Sequence, residues 1–336
     1  MNYLAVRCRH TVVAMDGRFD AAALVEPGVQ ADYVSCPNTG NPLTMIPRFR
    51  KLIAAARPDL LLTYNWGSID AVAASRLGPA IPVIHTEDGF DVDEQAGQIP
   101  RRVWTRRLLL GGVYRVIAPS RQLEQIMTGV WRLPAARVEY LPNGVDTDFF
   151  SPVRRQGGEG GPVVVGCVAN LTAVKNQSLL VGACAAVARR LPVRLLLAGE
   201  GPERPRLEEL VGRLGLNDSV EFLGLCGDVR PVYARMDMFV LSSTTEQMPL
   251  SVLEAMACGL PIAATAVGDI RTMVSEENRE FIVPPEHFSA AFERLAASPS
   301  LRRRVGEANR RHCVQVFGLN RMLKRYAELY AAAAGV

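Results

Sequence analysis

Two carboxylates and one lysine are the side chains of this sequence whose spacing suggests chemistry. Glu246 and Glu254 stand eight positions apart in EQMPLSVLEAMACGLPIAATAVG, with Pro249 between them. The apolar run at 238–241 reads as a buried strand that ends at Ser242 and Ser243. Pro249 suits a first helical residue, and Leu250, Leu253, Glu254 and Ala257 continue a short helix stopped at Gly259. Amides at such a helix start, around Met248, Pro249, Leu250 and Ser251, lack carbonyl partners and attract an anion. A diphosphate at those amides, with carboxylates on either side to accept from hydroxyls, suits a nucleotide-sugar. Two solvated glutamates on a surface loop and helix are the plain alternative. Lys175, one of three lysines, follows a strand-like stretch at 163–168, where an ammonium would neutralise a departing diphosphate.

These residues need a parallel sheet behind them, because ligands of such sheets bind at the carboxyl ends of the strands. The pattern supplies one twice. In the first half, strands are expected at 10–16, 23–25, 32–34, 58–64, 82–85, 114–118 and 137–141, with helices at 45–57, 68–77 and 101–112. A further helix follows Ser120, a predicted N-cap, as far as Thr128. In the second half, strands are expected near 163–168, 194–198, 220–223, 238–242, 261–264 and 280–283, with helices between. The fold class is α/β, doubly wound. A first domain at 1–150, a Gly-rich linker at 151–162, a second domain at 163–318 and a last helix at 319–336 divide the chain.

Composition narrows the function classes. The chain has 336 residues, enough for two domains, and its net charge of +4 is too small to argue for nucleic acid. Seven cysteines with no CxxC pair point to reduced thiols in a cytoplasm, and away from a disulfide framework or a zinc site. No apolar run is long enough to span a membrane, and the first residues lack the apolar core of a signal peptide. The arginines Arg302, Arg303, Arg304, Arg310 and Arg311 read as a solvated helix face.

Glu246 and Glu254, followed by AMACGLPIAATAVG, resemble the signature of the retaining family 4 glycosyltransferases. The resemblance continues through Asn143-Gly-Val-Asp, the segment 165–175, Leu197-Ala-Gly-Glu-Gly-Pro, and Phe222-Leu-Gly with Asp228-Val229. Within the family, HTEDGFDV and Val267-Gly-Asp-Ile-Arg look nearest to bacterial sugar transferases of exopolysaccharide or exosortase-associated clusters. The resemblance implies the GT-B fold: two Rossmann-like domains, a cleft between them, and a last helix returning to the first domain. It implies transfer of a sugar from a nucleoside-diphosphate sugar to a saccharide or lipid-linked acceptor hydroxyl, with retention at the anomeric carbon. No cofactor and no metal are required.

By the same resemblance, Glu246 accepts from the donor sugar's hydroxyls and Glu254 from the ribose. The family's basic pair that clamps the phosphates falls on Asn170 and Lys175, so the first member brings no charge here. Gln247 stands where the family has a glycine. Gly199 and Gly201 fit a tight turn approached by a ligand, and a purely structural turn equally well. The family's strand-end histidine facing the donor sugar falls on Asp88, with His85 still inside the strand.

Two Asp-x-Asp triplets, Asp91-Val-Asp93 and Asp146-Thr-Asp148, invite a metal reading, which the GT-B plan disfavours. Arg101, Arg102, Arg106 and Arg107, with Trp104, make a helix able to lean on anionic lipid, a solvated face being the alternative. A monomer or weak dimer is expected. Against the family, one strand–helix unit with its glycine loop is missing before Arg9, which predicts an unpaired sheet edge and poor stability. Two rivals follow: a truncated paralogue that binds nucleotide without transferring sugar, and a nucleotide-sugar 2-epimerase. A nicotinamide dehydrogenase is disfavoured, since no GxGxxG opens either half.

Overall fold

The structure, a computed structural model, describes residues 1–4, 8–90, 94, 97–152 and 161–335. The Asp91-Val-Asp93 triplet and most of the expected linker, at 153–160, lie outside the described residues. The chain divides into two compact units, one of Met1–Leu141 with Leu323–Val336 and one of Pro142–Met322.

The first unit contains β1 (His10–Ala14), β2 (Ala31–Ser35), α1 (Pro42–Ala56), β3 (Leu61–Tyr64), α2 (Ile69–Ser75) and β4 (Val83–Thr86). α3 (Pro100–Leu110), β5 (Arg115–Ala118), α4 (Arg121–Gly129) and β6 (Val138–Tyr140) follow. β1 and β2 pair with each other, and β3-β4-β5-β6 form a separate parallel sheet in sequence order. Asn41 caps α1 by accepting from the Leu43 amide, and Pro42 occupies the first turn, where its missing N–H costs nothing. Ser120 caps α4 by accepting from the Leu123 amide at 3.1 Å. Met45 and Phe49 of α1 pack with Cys36, Ala71 and Ala74 in one small core, while Val116, Leu123, Met127 and Trp131 lie in another. The strand expected at 23–25 is instead the end of a 3-10 turn, Asp20–Leu24. Only Val25 of that stretch is β-branched, and Ala21, Ala22 and Ala23 before it offer no side-chain surface to hold a strand.

The second unit runs β7 (Val163–Val168), α5 (Gln177–Ala188), β8 (Val193–Ala198), α6 (Arg204–Arg213), β9 (Val220–Gly224), α7 (Arg230–Arg235) and β10 (Met238–Leu241). It continues through α8 (Leu250–Ala257), β11 (Ile262–Thr265), α9 (Ile270–Met273), β12 (Ile282–Val283), α10 (Phe288–Ala297) and α11 (Pro299–Val316). Its six strands are parallel in the order β12-β11-β10-β7-β8-β9. β10 and β11 are buried at every position, as central strands covered on both faces must be. The strand order reverses between β10 and β7, which places a ligand crevice beyond their carboxyl ends. Arg310 of α11 is not on a solvated face: it donates to the carbonyls of Thr147, Phe150 and Ala257 at 2.9–3.0 Å. The last helix, α12 (Leu319–Ala334), reaches the first unit from Leu323 onward. There Arg325 pairs with Glu139 at 2.6 Å, and Tyr326 hydrogen-bonds to Thr86.

Candidate functional site

At the carboxyl end of β10, Ser242 and Ser243 point to two different loops. Ser242 Oγ donates to the carbonyls of Lys175 (3.0 Å) and Asn176 (2.9 Å), fixing the turn that follows β7. Ser243 Oγ donates to Glu246 Oε1 at 2.7 Å. The Lys175 ammonium, in the 3-10 turn Ala173–Lys175, meets the same carboxylate oxygen at 2.5 Å. Thr244 completes the join, its amide donating to the Val174 carbonyl at 2.8 Å. Lys175 and Glu246, 71 positions apart in sequence, therefore share one half-buried polar cluster at the switch point.

The loop carrying Glu246 rests on the turn after β11. Gly268 has φ +55, and a Cβ there would come within 2.3 Å of the Glu246 carbonyl. Asp269 donates its amide to the Gln247 carbonyl at 3.0 Å. Thr265 Oγ1 donates to the Ser243 carbonyl at 2.6 Å, so the far strand also sets the position of that serine.

Pro249 is the N-cap of α8 rather than its first residue. Met248 and Pro249 are both buried, Met248 against Asn143, whose amide group donates to the Met248 carbonyl at 3.3 Å. Proline has no N–H, so the exposed donors of this helix start are the amides of Leu250 and Ser251. One turn further, Glu254 is partly buried. Tyr233 of α7, itself buried, donates to Glu254 Oε2 at 2.7 Å and lies 3.2 Å from the Ser251 carbonyl. Burial pushes the Glu254 carboxyl above its ordinary range, an effect the Tyr233 hydroxyl partly offsets. Burial and then the Glu254 charge push the Tyr233 phenol well above 10, so it remains a donor.

Asn170 lies exposed, its carbonyl accepting from the Gln177 side chain at 2.9 Å. The space in front of Gly199 and Gly201 is filled by backbone: added Cβ atoms would sit 2.0 Å from the Ala169 carbonyl oxygen and 2.2 Å from that of Leu171. Both glycines let the loops after β7 and β8 run against each other, and so brace the Asn170–Lys175 turn from behind.

In the first unit, His85 is buried inside β4. Its Nδ1 is 2.9 Å from Thr63 Oγ1 and its Nε2 is 3.7 Å from Glu87. Arg106, fully buried, reaches Glu87 at 3.3 Å and makes two bonds to Glu94 at 2.9 and 3.0 Å. Its guanidinium is 4.8–5.5 Å from the ring centroids of Trp66, Phe90 and Trp131. Asp88 lies just past the strand, exposed, with its amide donating to Asn65 Oδ1 at 2.7 Å. Asn65 is in an unusual backbone state, φ 56 and ψ 174, which costs a non-glycine residue about 1–3 kcal/mol. Partial desolvation and then the charge of Glu87 push the Asp88 carboxyl above its ordinary range, an effect His85 partly offsets.

Among the described residues, no group of three His, Cys, Asp or Glu side chains is placed to hold a metal ion. Asp146 of the second triplet accepts from the amides of Asp148 (3.0 Å) and Phe149 (2.9 Å), a turn cap. The groups able to meet a diphosphate are Lys175 and the first amides of α8. Ser243, Tyr233, Gly268 and Asn65 escape sequence reasoning. Only the glycine at 268, inside the recognised motif, left a hint.

Known proteins match both halves of the chain. Residues 162–298 match the family model described as glycosyl transferases group 1, and residues 2–144 match a glycosyl transferase 4-like domain. D-inositol 3-phosphate glycosyltransferase of Salinispora arenicola is 28% identical over 316 residues, covering 83% of this chain and 70% of the relative. The structure is similar to sucrose-phosphate synthase from Thermosynechococcus elongatus, with TM-score 0.77 and 25% identity over 91% of this chain and 84% of that one. HepE from Anabaena, solved with UDP, superposes at TM-score 0.79 and 17% identity, covering 97% of this chain and 100% of that one.

Proposed function

We propose that this chain, which belongs to glycosyltransferase family 4 and has the GT-B fold, moves a sugar from a nucleoside-diphosphate sugar to an acceptor hydroxyl with retention of anomeric configuration. Family membership makes it a nucleotide-sugar-dependent transferase. The stereochemistry, the acceptor and a setting in bacterial polysaccharide or glycolipid synthesis are proposed.

The observation that carries the reading is the cluster of Lys175, Ser243 and Glu246 at the switch point, one turn of chain before the start of α8. Lys175 and the amides of Leu250 and Ser251 hold the diphosphate, and Glu254, set by Tyr233, accepts from the ribose hydroxyls. Glu246 is held by two donors on one oxygen, which suits an acceptor of sugar hydroxyls better than a free nucleophile. The bond from the anomeric carbon to the diphosphate oxygen breaks. The acceptor oxygen bonds to the same face, and its proton passes to the departing diphosphate. Lys175 neutralises the charge that develops, and no metal is needed. Asp88, at the strand end of the first unit, is proposed for acceptor-side chemistry, with His85 holding the strand behind it.

A nucleoside-diphosphate sugar is the donor class by chemistry, and the UDP and UDP-glucose complexes of HepE support starting with uridine nucleotides. The enzyme is proposed to be cytoplasmic, a monomer or weak dimer, and peripheral to an anionic membrane where lipid-linked acceptors lie. No described helix is long and apolar enough to cross a membrane. Proton NMR of the first sugar product formed from UDP-glucose tests the stereochemistry. An α-configured initial product is expected, and a β-configured one would overturn retention.

A further inference from the structure

We infer that the outer face of α3, with the end of α4, docks on an anionic phospholipid bilayer, and that Trp104, Leu108 and Val130 are the side chains that enter it. The inference names the surface for the membrane contact proposed above and rests on that reading.

The sequence offers four arginines of this helix to anionic lipid or to solvent; the structure distributes them otherwise. Arg106 is buried against Glu87 and Glu94, and Arg102 pairs with Glu94 at 3.2 Å. Arg107 donates to the carbonyls of Trp131 (2.9 Å) and Val130 (3.0 Å), and its guanidinium lies 4.6 Å from the Trp104 ring centroid. It therefore joins α3 to the end of α4 and holds Trp104 beside Val130. What the face presents outward is apolar: Trp104 is 66%, Leu108 74% and Val130 47% exposed. Gln98, Pro100 and Val103 complete a surface groove with Trp104 and Val130. Apolar side chains grouped on one helix face beside a groove mark an interaction site more than singly scattered ones do.

Charge selects the occupant. Arg101 and Arg132 flank the patch, exposed and without an acidic partner among the described residues. Residues 97–137 contain eight arginines and one acid, Glu124, but Glu87, Glu94 and Glu139 just outside that stretch pair with Arg106, Arg102 and Arg115, which leaves Arg101, Arg107, Arg132 and Arg137 without an acidic partner among the described residues. Glu124 is itself paired with Arg121 at 2.7 Å. A second copy of this chain would bring the same positive field against itself. An anionic bilayer offers opposite charge, an interfacial layer suited to tryptophan, and acyl chains for the leucine and valine.

The test is co-sedimentation of the full chain with vesicles of phosphatidylcholine alone and of phosphatidylcholine with phosphatidylglycerol, read beside tryptophan emission. Trp131 is buried and Trp66 half-buried, so a blue shift reports mainly Trp104. Binding and a blue shift are expected with phosphatidylglycerol and little of either without it. Trp104→Ser with Leu108→Ser is expected to weaken binding at least about tenfold with an unchanged unfolding midpoint, since both side chains are exposed. Arg101→Ala with Arg132→Ala should weaken it about tenfold on phosphatidylglycerol, and raising the salt should do the same. Undiminished binding by the Trp104/Leu108 variant would overturn this surface while leaving membrane contact standing. No binding by the wild type would overturn the membrane contact itself. Self-association that the Trp104/Leu108 variant abolishes, without lipid binding, would make the face a contact between copies and overturn the inference.

Discussion

Tyr233→Phe removes one hydroxyl and leaves the ring in place, so it isolates the bond to Glu254. That bond is 2.7 Å long and runs from a buried phenol to a carboxylate. Bonds to charged groups contribute about 1.5–3 kcal/mol, and the lower end applies because Glu254 is partly exposed and water can replace the lost donor. For a unit of this size, about 1.5 kcal/mol lowers the unfolding midpoint by about 3–6 °C. The Glu254 carboxyl is already raised by burial, and without the phenol it rises further. The native state then holds a proton that the unfolded state has released, so stability falls as pH rises from 4.5 through the folded pKa, and more steeply in the variant. If Glu254 accepts from the ribose, a less well-held carboxylate should weaken UDP binding about three- to tenfold, equivalent to about 0.7–1.4 kcal/mol. Calorimetric titration with UDP and with its 2′,3′-dideoxy analogue checks this. The analogue should bind the variant and the wild type alike. Equal weakening of both nucleotides would mean that Tyr233 supports the fold generally, and would refute the link from Tyr233 through Glu254 to the ribose.

Gly268→Ala should cost about 1–3 kcal/mol in urea unfolding and reduce release of UDP from UDP-glucose more than tenfold, because its Cβ would collide with the Glu246 carbonyl. Gly215→Ala, also at positive φ but with nothing within 4 Å of the added Cβ, should lose stability and keep activity. Asn65→Gly should leave the unfolding midpoint unchanged or raised, since relief of about 1–3 kcal/mol of backbone strain offsets the lost bond to Asp88, yet it should slow UDP release. A parallel fall in both would make Asn65 merely structural. Burial pushes the Glu94 carboxyl up, but the bonds and charge of Arg106 outweigh that and hold it below 4.5. Its contribution to stability is therefore present above pH 4.5 and disappears as pH falls through its folded pKa. Glu94→Gln should destabilise by about 3–5 kcal/mol at neutral pH and flatten that acid limb in a pH series of urea melts.

The doubly wound fold was legible because strands such as 163–168 and 238–241 are continuous apolar runs, and their spacing leaves room only for helical crossovers. Lys175 and Glu246 were legible singly, from the loop that holds each, but not as an ion pair, because strand order rather than sequence distance brings them together. The sequence offered the arginines of α3 as one outward face, toward anionic lipid or solvent, and it could not see that Glu87 and Glu94, outside the helix, take Arg106 inward. Pro249 was misplaced by one position because the same residue suits a first helical turn and the cap before it. Tyr233 reads in sequence as an ordinary core aromatic of a short helix. Its polar end is explained only by Glu254, 21 positions on. Gly199 and Gly201 were open to two readings, and the backbone oxygens in front of them now account for the residue type.

The proposed mechanism requires the second unit to hold a nucleoside diphosphate through Lys175. A thermal-shift panel of UDP, GDP, ADP and dTDP, with magnesium or with EDTA, on wild type and Lys175→Ala tests it most directly. Stabilisation by one nucleotide is expected, the same with and without magnesium, and lost in the variant although the variant unfolds cooperatively by itself. An equal shift in Lys175→Ala, or a shift that appears only with magnesium, would contradict it.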